Sequence, residues 1–393
     1  MVGLFLISLG LRPQLVAIGP LIPALQADLV ISHAVAGLLG TVPVLCMGLF
    51  APIGPWVARR LGAERAVAAG VGAIALLGLL RALGPEVSTV LALTFGIGLG
   101  VAIVGPVLPI IVRQRMAGRA APATGIYAGG IVLGASLSAA LAVPLAGPQL
   151  DWRIPLAVFS LATGASLIVW LVMERPSGAP AQPAPADLPR IPWTRREAWE
   201  LAILFAAQSI LFYSANAWLP TIYIERGWRD VDAGFLLALL NGMGLVATFG
   251  LALLAQRLGS RRQQMGASAA ASLVALLGIA VLPDLALVWA TLLGLGLGAV
   301  FPLVLTLPVD LADRAQDVGG LSAVMLFGGY IVASTSPFLL GLVRDSTGSF
   351  ALSLWLLVGV AFLLLVACWM FVPARLGRRA TPAASGSFDT QRR

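Results

Sequence analysis

Lysine does not occur in this sequence, and all 25 basic residues are arginine. That segregation reads as genome composition, because the two side chains differ chemically but no single site demands one of them everywhere. Cysteine is nearly missing as well: Cys46 and Cys368 lie in apolar runs near opposite ends of the chain. Two thiols so placed argue against a disulfide framework and point to packing. The one histidine, His33, opens the second apolar stretch and is expected to be solvated. No group of Cys, His, Asp and Glu has the spacing of metal ligands, so neither a metal nor another cofactor is expected. No nucleophile and base, and no pair of carboxylates, stand at catalytic spacing, and an enzyme is not expected either.

Charge of any kind is scarce, at 11% of residues against 59% hydrophobic ones, with a mean hydropathy of +0.96. This excludes a water-soluble globular domain. A spanning helix needs roughly 20 mainly apolar residues, and twelve stretches qualify, near 3–26, 34–57, 66–84, 88–112, 122–147, 154–173, 199–224, 233–256, 264–282, 285–309, 318–342 and 350–373. None shows sustained period-two alternation, and only helices or closed barrels satisfy their backbone in lipid. The expected fold is therefore an all-α polytopic membrane protein with twelve transmembrane helices. Residues 1–26 lack a basic leader and a cleavage site, so a retained first helix is expected rather than a signal peptide. The chain enters that helix almost at once, which suggests a short or misassigned N-terminus.

The net charge of +8 could suggest nucleic acid, but the distribution of arginines gives another account. With both termini on the cytoplasmic side, 19 arginines fall in cytoplasmic segments and 5 on the opposite side, Arg81 among the latter. Arg12 remains within the membrane. The asymmetry follows the positive-inside rule for a bacterial inner membrane and implies contact with anionic lipid, not nucleic acid.

Internal similarity divides the chain. "VARRLGAER" (Val57–Arg65) and "LAQRLGSRR" (Leu254–Arg262) match at five of nine positions with an offset of 197, and "GIGLG" at Gly96 and "GLGLG" at Gly294 agree at 198. Two motifs in one order at nearly one offset indicate duplicated six-helix halves, 1–173 and 198–373. Between them, 174–197 carries six prolines and four arginines and reads as a cytoplasmic, partly extended linker, while 374–393 reads as a disordered, lipid-facing cytoplasmic tail.

The two basic loops resemble the signature loop of the major facilitator superfamily, with Arg59, Arg60, Gly62 and Arg65 in the first copy and Gln256, Arg257, Gly259 and Arg261 in the second. Where that family usually has an aspartate, this chain has Arg59 and Gln256. The resemblance implies a gating role through other contacts, and plain positive-inside anchoring is the alternative. The glycines of both GxGxG motifs lie within apolar helices with no strand before them, so close helix packing is expected, not dinucleotide binding. "GIYAGGIVLGASLSAA" (Gly125–Ala140) reads likewise, with sliding between halves as a second use. Prolines inside the stretches, Pro13, Pro20, Pro23, Pro43, Pro106, Pro109, Pro220, Pro302, Pro308 and Pro337, release carbonyls and bend helices.

Arg12 lies about 5 Å from the middle of its stretch at 1.5 Å per residue. A central arginine costs about 2.5 to 3.5 kcal/mol on insertion scales and stays charged. No Asp or Glu lies deep in any stretch; Asp28, Glu225 and Asp310 come nearest. Two accounts follow: Arg12 binds an anion or planar polar group in a hydrated central cavity by forked hydrogen bonds, or it is structural and satisfied by carbonyls that nearby prolines release. In the seventh stretch Gln208, Ala215 and Asn216 fall on one face, at i, i+7 and i+8, with Tyr213 and Trp218 beside them. Asn241 and Tyr330 are further candidates. Singly each is more often an interhelical hydrogen bond; together with Arg12, the residues Gln208, Tyr213, Asn216, Asn241 and Tyr330 make a candidate substrate site at the midplane.

"LGLRPQLVAIGPLIPALQ", "QSILFYSANAWLPTIYIERG" and "GLGLGAVFPLVLTLPVD" resemble the cyanate and nitroimidazole transporter family of major facilitators across nearly the whole chain. The resemblance implies a small planar substrate, charged or neutral, moved by alternating access. Uniport, exchange and proton coupling through Glu225 or Asp310 all stay open. A broader drug exporter and a non-transporting membrane receptor are the alternatives; the short linker and tail leave no room for a signalling domain. The expected partners are a small-molecule substrate and membrane lipid, with the chain acting as a monomer.

Overall fold

The computed structural model describes residues 1–116, 119–173, 192–254, 259–312, 314 and 317–372. Its helices are α1 (Val2–Leu9), α2 (Pro13–Val16), α3 (Ile18–Leu29), α4 (His33–Leu49), α5 (Ile53–Leu61), α6 (Ala63–Ala82), α7 (Val87–Arg115), α8 (Ala120–Ala146), α9 (Arg153–Met173), α10 (Arg196–Ile224), α11 (Asp230–Leu254), α12 (Arg261–Val281), α13 (Ala286–Leu311), α14 (Asp317–Thr347) and α15 (Ala351–Phe371). Ten of these are each long and apolar enough to cross a bilayer. Two bent groups bring the total to twelve: α1–α3, bent by 41°, and α4–α5, bent by 63°. The chain is an all-α, multi-pass membrane protein built as two six-helix halves. Gln256, Arg257, most of the linker and the C-terminal tail lie outside the described residues.

Both bends follow from proline chemistry. Pro13 is the first residue of α2 and cannot donate to the Leu9 carbonyl, so α1 stops and Gly10–Arg12 form a turn. Pro20 likewise denies a donor to Val16, where α2 ends before Ala17. Pro52 and Pro55 do the same for Gly48 and Ala51 between α4 and α5. The duplicated loops share a backbone feature as well: Gly62 and Gly259 both take positive φ, +89° and +82°, where a β-carbon is strained.

The halves meet chiefly through α4 with α14 and α8 with α11, and α3 also packs against α10 and α11. Small residues make these approaches close. A β-carbon on Gly37 would collide with the Pro337 carbonyl, and one on Gly341 with that of His33. The GxGxG motifs pack in the same manner within each half, Gly100 against Gly70 and Gly298 against Gly244. Cys46 and Cys368 are free and buried. Large apolar side chains such as Leu171, Leu287, Trp355 and Leu363 face outward, as a lipid-facing surface requires.

The bundle has a linker end, where Met173 and Arg196 lie, and a far end, where α3 gives way to α4. At the linker end Glu64 pairs with Arg115 at 2.8 Å and Arg261 with Asp310 at 3.2 Å, each bridge closed within one half. Arg59 and Arg65 are exposed there, and Arg60 stacks on Trp56. At the far end the halves meet through contacts of His33 with two carboxylates. His33 lies 2.8 Å from Asp345 and 3.6 Å from Glu225, and Glu225 also takes Arg344 at 2.9 Å. The expectation of a solvated His33 is corrected here: its side chain keeps 15% of its exposure, because Asp345 also accepts the backbone N–H groups of His33 and Ala34 and draws the residue into the α4–α14 contact.

Candidate functional site

The interruption of the first span determines where Arg12 can reach. As the cap before Pro13 it sits in a turn rather than on a regular helix face, and its guanidinium crosses to α10 in the other half. Its one hydrogen bond among the described residues runs from Nη1 to the Tyr213 hydroxyl, 3.3 Å, and its charge lies 5.9 Å from the Tyr213 ring centre. The Tyr213 hydroxyl continues to Met47 Sδ at 3.8 Å. A guanidinium carries five N–H donors, so most of the hydrogen-bonding capacity of Arg12 is left for something other than protein. The structural account, in which proline-released carbonyls saturate it, finds no such bond.

Arg12 lines two adjoining cavities. The larger, about 100 Å³, takes Gln208, Ser209, Phe212 and Tyr213 from α10, Asn241 and Thr248 from α11, Phe301 from α13 and the small face of α8 at Ala135. The smaller, about 30 Å³, lies among Ile22, Ala36, Val44, Tyr213 and Asn216, room for about one water. Arg12, Phe212 and Tyr213 line both cavities and form the partition between them.

Of the six residues read from the sequence, Arg12, Gln208, Tyr213 and Asn241 thus share the larger cavity. Asn216 lies in the smaller one and is joined to it, accepting a 3.0 Å hydrogen bond from Asn241 Nδ2, which also donates to the Leu237 carbonyl. Tyr330 lines neither. It packs edge-on against Phe205 at 4.9 Å and tilted against Tyr213 at 6.3 Å, behind the cavity wall. Ser209, Thr248 and Phe301 were not legible as site residues: hydroxyls and aromatics are common in apolar helices, and Thr248 bonds carbonyls of its own helix and of Gly298. Among the described residues, no carboxylate and no histidine lines either cavity.

A second arginine departs from the sequence reading. Arg81, tallied among the far-end cations, is wholly buried. It folds back from the end of α6 to reach the Gln14 carbonyl at 2.9 Å, Gln14 Oε1 at 2.7 Å and Thr94 Oγ1 at 3.2 Å. Gln14 in turn donates to the Leu156 carbonyl and to Ser160.

A two-half helical bundle with a small, mostly apolar cavity on the seam, set with a few polar groups and a cation from one half, fits a membrane carrier. Comparison with known proteins gives the family. The description Major Facilitator Superfamily matches residues 2–334, and the chain belongs to that superfamily of transporters. It is 32% identical over 348 residues to the cyanate transport protein CynX of Escherichia coli (strain K12), covering 88% of this chain and 90% of that one. It is 30% identical over 369 residues to the 2-nitroimidazole transporter of the same strain, covering 93% and 92%. The crystal structure of a D-xylose-proton symporter shares the fold at a TM-score of 0.76 and 14% identity, over 96% of this chain and 98% of that one.

Proposed function

We propose that this protein is a secondary transporter that moves a small planar solute, cyanate-like or nitroimidazole-like, across the bacterial inner membrane by alternating access, with Arg12 as principal ligand. The observation that carries the reading is the incompletely bonded Arg12 on the wall of a cavity of about 100 Å³. That volume suits a solute of a few non-hydrogen atoms, whereas pockets for drug-sized ligands measure roughly 300 to 1,000 Å³, which weighs against a multidrug exporter. Gln208 and Asn241 supply amides to the same space, and the Tyr213 and Phe301 rings supply flat faces for a planar solute. The substrates named for the two relatives have a common chemistry, since cyanate is an anion and the nitro group makes the imidazole N–H acidic.

The excess of arginine at the linker end supports placing that end, and both termini, in the cytoplasm. The far end is closed through α4 and α14. In this reading the basic loops around Arg59, Arg60, Gly62 and Arg65 and around Gly259 and Arg261, with Gln256 and Arg257, anchor the linker end to anionic lipid. The pairs Glu64–Arg115 and Arg261–Asp310 hold each half rigid as it rocks. The chain needs no partner and works as a monomer.

The test is uptake of labelled cyanate, and separately of 2-nitroimidazole, into proteoliposomes. Wild type is expected to move at least one of them, and Arg12→Gln, folded and monodisperse, to lose roughly 10- to 100-fold in apparent affinity, the worth of a charge-assisted hydrogen bond. A wild type that moves neither solute sinks the substrate assignment. An Arg12→Gln protein that transports normally makes the arginine structural.

A further inference from the structure

The first half holds two guanidiniums in the membrane interior, Arg81 wholly buried and Arg12 half-buried on the cavity wall, and no carboxylate lies within ion-pair distance of either among the described residues. For Arg81 the omission is pronounced. Buried arginine is ordinarily met by an acid, because hydrogen bonds to neutral groups satisfy its donors without cancelling its charge. Every acceptor around Arg81 is neutral: the carbonyl and amide oxygen of Gln14 and the hydroxyl of Thr94. The surroundings are built to keep it so. Gly78 makes room, since a β-carbon there would come within 2.6 Å of Ser160 Oγ and 2.9 Å of Gln14 Cδ. Gln14 is itself fixed from its other side by the Leu156 carbonyl and Ser160. Arg81 does not line the cavity, yet it grips the short helix whose cap is Arg12, two residues before Gln14.

We propose that Arg81 is a fixed-charge specificity residue, which makes the Arg12 cavity select a small monovalent anion over a neutral planar solute of the same shape. This rests on the reading of the Arg12 cavity as the substrate site and narrows its substrate to the anionic class. The two cations sum to a positive interior that only a ligand can offset. A unit charge on the order of 10 Å away, at an interior effective dielectric near 20, changes affinity for a monovalent anion roughly ten-fold and leaves a neutral solute unaffected.

The experiment separates charge from geometry. Purified full-length protein is titrated with cyanate, with 2-nitroimidazole above and below the pH at which its N–H ionises, and with 1-methyl-2-nitroimidazole, which has no such proton; the thermal shift is read. Thr94→Asp, with Gln14→Glu as a second variant should the first not fold, sets a carboxylate against Arg81 and cancels its charge in place. Arg81→Lys keeps the charge but loses the fork. Wild type is expected to respond to cyanate and the imidazolate and not to the methylated compound. Thr94→Asp should need roughly ten-fold more cyanate, and Arg81→Lys should stay close to wild type. The inference is overturned if the carboxylate variants bind cyanate as wild type does, if Arg81→Lys loses binding while they retain it, or if the methylated compound binds as well as the anions. Anion binding with this pattern but without transport in vesicles would leave the charge selectivity standing and defeat the transport reading instead.

Discussion

A cation in a membrane interior is informative through the bonds it leaves unmade. Arg81 places three hydrogen bonds on protein oxygens and keeps its Nε buried without a partner among the described residues, whereas Arg12 makes one, to Tyr213, and faces the cavities, so Arg12 is the one placed to take a ligand. Tyr213→Phe keeps the ring beside Arg12 and removes only the hydroxyl. Its expected effect is a loss of roughly 3- to 10-fold in apparent affinity for the transported solute, with the melting temperature unchanged, measured in the uptake assay. Asn241→Ala should cost stability as well as affinity, since Asn241 lines the cavity and also braces Asn216. It strips Asn216 Oδ1 of its donor in a buried setting, so stability falls by about 1 to 3 kcal/mol, seen as a lowered melting temperature in detergent. Arg12, Gln208, Tyr213 and Asn241 were legible in the sequence because polar groups stand out in apolar runs. Arg81 was not. It lies one residue from the end of α6, where an arginine ordinarily turns outward to water, and only the fold shows it turning inward to Gln14.

At the scale of the helix, the bilayer dictates length, and this made the twelve spans readable to within a few residues. The interruptions were readable only as a tendency: Pro13 and Pro20 foretell carbonyls without donors, but where the chain turns depends on what receives it, here the small face of α8 at Gly134 against Leu9. The partner of His33 was out of reach for a different reason, since Asp345 is 312 residues away and no local pattern links them. Closure at the far end depends on glycine. Gly37 sits against the backbone of Pro337, and Thr41 Oγ1 accepts a 3.3 Å hydrogen bond from Phe338 N just inside. Gly37→Leu drives bulk against a backbone that cannot yield, so α4 and α14 are expected to part at that end. An Ala217→Cys reporter, whose site lies on the smaller cavity, should then react roughly ten-fold faster with a membrane-impermeant maleimide applied from the far side, because thiol reactivity follows access. Unchanged labelling would mean that some other contact seals the far end.

For the whole molecule the open question is what drives the solute. Proton-coupled carriers place a titratable group in the pathway, and among the described residues neither cavity has an acid or a histidine on its wall. Asp28, Glu225 and Asp310, the acids nearest the apolar interior, are each tied to an arginine, Arg153, Arg344 and Arg261 respectively. The cluster of His33, Asp345 and Glu225 joins the halves at the far end and does not line either cavity. An anion bound at Arg12 should then cross with its charge uncompensated. Membrane potential acts on one such charge by about 2.3 kcal/mol per 100 mV, roughly 50-fold in the equilibrium ratio across the membrane. Imposing 100 mV across proteoliposomes, positive inside, should therefore concentrate cyanate about 50-fold in the lumen, and reversing the sign should expel it, while a pH gradient alone should move nothing. Accumulation driven by the pH gradient and indifferent to voltage would instead require a proton to travel with the anion. The far-end histidine and its two carboxylates would then be the groups to mutate first.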